Sequence, residues 1–195
     1  MYICIVKLKD QDKKEAIYAE TLNIVFSKGI AGIKMADLAK RVGISPSTLY
    51  VYHKNKEELI VSLFTDLMQA HTIAFRSHLD ADIPYKHKLK KIWLQWLQFS
   101  IDNHKEMNFM KQFKRSPYIE HISESVKADK QKMGDDLLNQ GKAQLVIKNV
   151  PNTILHSVIE ANMLQTTTMI MEKQISLNEQ DTDMMFNFLW DAIKA

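Results

Sequence analysis

The chain has 195 residues, 46% hydrophobic and 25% charged, with five glycines, four prolines and one cysteine. That profile suits a soluble globular protein with a sizeable core and long helices. Cys4 alone excludes an internal disulfide and suits a reducing, cytoplasmic setting. The net charge is +3: residues 1–60 hold ten Lys/Arg against seven Asp/Glu, and the rest hold sixteen of each, so a basic first third sits on a neutral body and points to a polyanionic partner.

Tyr2–Val6 is an apolar run too short for a signal-peptide core, with no basic stretch before it, and reads as a frayed start rather than a strand. No run reaches the roughly 18 apolar residues of a membrane span. Asp10 to Ser27 carries Ala16, Ile17, Ala19, Ile24, Val25 and Phe26 at helical spacing, and Gly29 stops it. Met35 to Arg41 is a short helix ended by Gly43. Ser45-Pro46 starts another, to Tyr52, with Ser45 as cap and Pro46 at its first position. Asn55-Lys56-Glu57-Glu58 reads as a capping box that opens a long helix to about His78.

Asp82-Ile83-Pro84 begins the next helix, to about Asn103, and Lys105 to Lys114 forms a shorter one. After Ser116-Pro117 a further helix runs to Asn139, where Gln140-Gly141 is expected to end it. Pro151 opens a long helix to Lys173, and Ser176 or Asn178 caps the last one, to Ile193. The expected class is all-α, with about nine helices.

The informative stretch is Gly29 to Leu59. Two short helices flank Val42-Gly43-Ile44-Ser45, the spacing of a helix-turn-helix whose second helix enters the major groove. Leu38, Ala39 and Leu49 point inward, and the small Ala39 lets the helices cross closely. Leu38-Ala39, Gly43, Ser45, Leu49-Tyr50-Val51-Tyr52 and Lys56-Glu57-Glu58-Leu59, preceded by Phe26, Gly29 and Gly32, resemble the TetR family of transcriptional regulators. Two positions depart from its pattern. Ile33-Lys34 stands where the family has Thr or Ser, and His53 where it has Phe.

The resemblance implies a DNA-binding domain over residues 10–56 and an effector-binding and dimerisation domain over 57–195. It also implies a homodimeric, cytoplasmic repressor of palindromic operator DNA, released by a small, largely apolar effector, with no enzymatic activity and no cofactor. Ser47 and Thr48, at the start of the recognition helix, are expected to reach base edges, and Val51 a thymine methyl. Tyr50 is expected at the groove, contacting backbone or base, and Lys34, Tyr52, Lys54 and Lys56 at phosphates; Ser45 and His53 are expected among the DNA-binding residues, His53 as a ring that can still pack and whose protonation alters phosphate affinity. Lys40 and Arg41 read as solvated.

The resemblance implies that the last two long helices form the dimer interface, through Ile154, Leu155, Val158, Ile159, Met169, Met185, Phe188 and Leu189, and their apolar residues on more than one face agree in part. Trp93, Trp96, Phe99, Phe109, Met110, Phe113, Tyr118 and Met163 either line an effector cavity or are simply core. Asn162, Gln165 and Thr166 interrupt an apolar helix as ligand anchors or as bonds across the dimer. Glu160 reads as a surface residue. His71 and His78 are too far apart, at seven residues, for a compact metal site, and no phosphate loop or nucleophile elbow occurs.

Overall fold

A computed structural model describes residues 2–76 and 83–195, with side chains for 10–72, 83–123, 132 and 134–195. Among the described residues there are nine α-helices: α1 (Tyr2–Lys28), α2 (Met35–Val42), α3 (Pro46–Tyr52), α4 (Lys56–Arg76), α5 (Tyr85–Asp102), α6 (His104–Lys114), α7 (Glu124–Ala143), α8 (Asn152–Met171) and α9 (Glu179–Ile193). Tight 3-10 turns occupy Ile30–Gly32 and Pro117–His121. The one β feature among these residues is an isolated bridge between Ile147 and Lys194. No helix here is long and apolar enough to cross a membrane.

Local signals act where the chain chemistry places them. Gly43 takes φ 77°, a left-handed conformation that disfavours any residue with a Cβ, and its N–H closes on the carbonyls of Ala39 and Lys40 to end α2. Ser45 caps α3 with Pro46 at the first helical position. Asn55 accepts the Glu58 N–H at 2.8 Å, while the Glu58 carboxylate accepts from the Lys54 N–H at 2.7 Å rather than from Asn55. Asn178 caps α9 by accepting from Asp181.

Three expectations change. Helix α1 extends back to Tyr2, so Tyr2–Val6 is neither strand nor frayed coil. The segment after Pro117 is a 3-10 turn before α7 begins at Glu124. Helix α7 runs through Gly141 to Ala143, and Leu145 takes the left-handed conformation beyond it at φ 57°. Gly141 is a packing glycine rather than a stop: a Cβ there would lie 2.4 Å from Cζ of Tyr85. Gly141→Ala forces the Tyr85 ring aside and is expected to cost about 1–3 kcal/mol, as overpacking does, read as a lowered melting temperature. The expected end of α4 at His78, and Asp82 at the start of α5, lie outside the described residues.

The chain divides into two compact units, 1–69 with 104–123, and 70–103 with 124–195. The expected boundary after residue 56 falls inside the first unit. The first unit packs α1, α2, α3, the start of α4 and α6 around Ile17, Val25, Leu38, Leu49, Leu63 and Phe113, all buried. Phe64 stacks on Phe113 with ring centres 4.0 Å apart. The second unit packs α5, α7, α8 and α9 around Leu89, Trp93, Leu97, Leu155, Phe186 and Leu189. Each core removes apolar surface from water at roughly 25 cal/mol per Å².

Candidate nucleic-acid interface

Within helix α3 one residue is fully buried. Leu49 is fully buried, whereas Tyr50 is 49% and Val51 83% exposed. A solvent-exposed β-branched side chain on a seven-residue helix has no packing role, and with Ser47 it gives α3 an open outer face. The Ser45 hydroxyl accepts the Thr48 N–H at 3.1 Å and lies 2.8 Å from the hydroxyls of both Ser47 and Thr48. Three hydroxyls therefore cluster at the start of α3, where a helix entering the major groove meets base edges. Ser45 is engaged as the cap, which leaves Ser47 and Thr48 as the adaptable pair.

Cations flank this face. Lys34, at the N-cap position of α2, makes no side-chain capping bond and is exposed, as is Lys54. Lys56 is half-buried, its Nζ donates to the Ala31 carbonyl at 3.4 Å, and burial lowers its ammonium below the ordinary lysine range. Lys28, Lys40 and Arg41 line a groove of about 420 Å³ between α1 and α2, together with Asp37. Arg41 lies 3.8 Å from Glu20.

Two expected contact residues are placed differently. The Tyr52 hydroxyl donates to Asp10 Oδ1 at 2.8 Å, and burial and then this carboxylate push it above its ordinary range, so it stays a donor. His53 is not a surface ring. It is 4% exposed, follows α3 as its C-cap and stacks on Tyr18 with ring centres 5.8 Å apart. Among the described residues neither imidazole nitrogen has a hydrogen-bond partner. Burial lowers its pKa ahead of the opposing pull of Glu58, so the ring is held neutral. A buried ring touches no phosphate; His53 instead packs the end of α3 against Tyr18 of α1.

A brace not foreseen from the sequence secures that packing. Asp66 on α4 accepts from Lys14 Nζ at 2.7 Å and from the Tyr18 hydroxyl at 3.0 Å, both on α1. Burial, then Asp66, raise the Tyr18 hydroxyl well above its ordinary value. The only sequence trace was polar residues on the inner side of α1, a weak signal.

The expected effector residues do not share one unit. Phe109, Met110 and Phe113 are core of the first unit, which also holds Tyr118; Trp93, Trp96, Phe99, Asn162, Met163 and Thr166 belong to the second. Asn162 accepts from Trp93 Nε1 at 2.9 Å and donates to the Met185 carbonyl at 3.1 Å. Thr166 is fully buried and donates to the Asn162 carbonyl at 2.8 Å. These polar groups tie α5, α8 and α9 together. Gln165 and Glu160 are exposed.

The expected dimer residues also divide. Leu155 and Leu189 are buried in the core of the second unit. Val158, Ile159, Met169 and Met185 are half-buried. Ile154 and Phe188 are exposed, and so are Leu164, Met171 and Met184. Among the described residues, no group of three His, Cys, Asp or Glu side chains suits a metal ion; His78 lies outside them.

Comparison with known proteins agrees with this geometry. Residues 17–63 match the bacterial regulatory proteins of the tetR family, and residues 84–194 match the tetracyclin repressor-like C-terminal domain. A helix-turn-helix-type transcriptional regulator of Haemophilus influenzae is 23% identical over 116 residues, 60% of this chain and 62% of that protein's length. The crystal structure of a TetR family transcription regulator from Marinobacter aquaeolei superposes with a TM-score of 0.83 at 21% identity, covering 96% of this chain and 98% of that one. The transcriptional regulator FadR from Bacillus subtilis, solved in complex with stearoyl-CoA, superposes at 0.71 with 18% identity, covering 91% and 95%.

Proposed function

The chain belongs to the TetR family, and from that premise we propose that it is a homodimeric repressor that binds a palindromic operator and is released by a small, largely apolar effector. The observation that carries the DNA-binding part is the outer face of α3: Ser47, Tyr50 and Val51 open to solvent above a buried Leu49, with uncommitted Lys34 and Lys54 beside it. Ser47, Thr48, Tyr50 and Val51 read the groove, and Lys34, Lys54 and Lys56 neutralise phosphates. Tyr52, aligned by Asp10, sits at the edge of that contact. The protein acts by binding alone, with no enzymatic step, in the cytoplasm.

Dimerisation is supported by exposed apolar side chains on two helices of one unit, Ile154, Leu164 and Met171 on α8 and Met184 and Phe188 on α9. Such a patch marks an interaction surface. Two-fold pairing presents two copies of α3 about one helical turn of DNA apart, roughly 34–36 Å. The effector reading is supported by the stearoyl-CoA complex of the Bacillus relative. An effector releases DNA only if it binds the non-binding arrangement of the dimer more tightly than the binding one.

Fluorescence anisotropy with fragments of the surrounding genome tests the reading. One fragment is expected to bind at least a hundredfold more tightly than random DNA of equal length. Tyr50→Ala is expected to weaken operator binding by about 1–3 kcal/mol while sparing non-specific binding. Lys54→Ala weakens all sequences alike and makes the slope of log K against log salt shallower by about one. Equal retention of every fragment ends the operator claim.

A further inference from the structure

The second unit buries an ammonium without a carboxylate. Lys88 on α5 is 8% exposed, and among the described residues its Nζ meets only the Oε1 of Gln140, at 3.4 Å. Other lysines of the unit are better satisfied. Lys90 pairs with Asp183, and Lys142 donates to the Val150 carbonyl and to Asn152 Oδ1, both at 2.6 Å. A long contact to a neutral amide does not replace the water that a buried ammonium gives up.

One turn before Lys88, on the same side of α5, Tyr85 is also buried, and among the described residues its hydroxyl has no hydrogen-bond partner. Its ring reaches the next residue of α7. A Cβ on Gly141 would lie 2.7 Å from the Tyr85 Oη. The two under-satisfied donors of α5 therefore meet α7 at adjacent positions, Gln140 and Gly141. Burial pushes the Tyr85 hydroxyl up to about 12, so it stays protonated and able to donate. Gln140 is itself exposed, so an incoming anion displaces one neutral amide to reach the ammonium.

We propose that Lys88 and Tyr85 form an oxyanion site in the second unit that holds the carboxylate or phosphate head of a small amphipathic molecule. Lys88 supplies the charge and Tyr85 the directed O–H donor, a charge-assisted pair for one anionic group. Its assignment as the effector site rests on the repressor reading above; the binding site does not.

Calorimetric titration of the full chain tests it, with decanoate and decyl phosphate as probes below their micelle thresholds and decanol as the neutral control. The wild type is expected to bind at least one anionic probe, and the stronger of the two identifies the head group. Lys88→Met weakens that binding at least tenfold and Tyr85→Phe several-fold, while Lys88→Arg retains most of it. Decanol binding is the same in all four proteins. Lys88→Gln serves as a second charge-free variant if Lys88→Met fails to fold. Undiminished binding of both anions by a folded charge-free variant overturns the site, as does a wild type that binds neither. Anion binding that depends on Lys88 but leaves the operator complex intact keeps the site and ends the effector reading.

Discussion

Phe188→Glu is expected to convert the protein to a monomer and to abolish high-affinity operator binding. Phe188 is 66% exposed on α9, so a carboxylate there disturbs nothing within its own chain. Circular dichroism and helix content should match the wild type. In a two-fold interface each substitution occurs twice. An uncompensated buried charge costs about 3–5 kcal/mol, which at about 1.4 kcal/mol per decade weakens association by at least a hundredfold per copy.

Loss of the dimer uncouples the two half-sites. The second half-site contact then gains nothing from effective concentration, and operator affinity falls by roughly 10²–10⁴. Sedimentation velocity reads the first effect and gel shift the second. A Phe188→Glu protein that sediments as a dimer places the interface elsewhere. Leu189→Glu is the contrasting variant. Leu189 is buried in its own core, so that change unfolds the second unit rather than splitting a dimer.

His53→Phe is expected to stabilise the first unit and to remove an acid sensitivity of DNA binding. Both ring nitrogens of His53 are buried without hydrogen-bond partners among the described residues, against Tyr18 and close to Lys14, Asp66 and Glu58. Each unsatisfied buried polar group costs about 1–3 kcal/mol. Phe has a similar shape and no nitrogen to desolvate, so a rise of several degrees in melting temperature is expected.

The pH dependence has a definite sign. Burial lowers the folded pKa of His53 below the ordinary 6.5. Between the two values the unfolded chain binds more protons than the folded one, so stability falls as pH falls. The contribution is complete above 6.5 and is lost progressively from there down through the depressed folded value. Because His53 caps α3, its protonation unseats the recognition helix, and operator affinity should drop between pH 7.5 and 5.5 more steeply in the wild type than in His53→Phe. Identical pH profiles for the two proteins would show that the ring titrates without strain.

The local architecture of the helix-turn-helix was legible in the sequence because its signals are short-range. Gly43, Ser45-Pro46 and Asn55 act through backbone sterics and capping bonds spanning a few residues, and α3 begins and ends where Pro46 and Tyr52 indicated. The exposed Tyr50 and Val51 above a buried Leu49 follow from the same short period. For His53 the sequence leaves packing and an influence on phosphates both open, and only the residues of α1 and α4 around it show that its ring points inward.

The same limit governs the body. Helix α8 is apolar nearly all round, so periodicity alone does not separate Leu155, which faces α5 and α9, from Ile154, which faces solvent. Composition likewise grouped Phe113 with Trp93, whereas folding sends α6 to the first unit and α5 to the second. Gly141 looked like a stop and is instead the gap that admits Tyr85. What the sequence determined by itself was what neighbours along the chain set: the all-helical class and the two short helices at Gly43 and Ser45-Pro46 with their caps. Tertiary structure decided which apolar face is buried and which polar group is left unpaired, because both depend on side chains brought together from distant parts of the sequence.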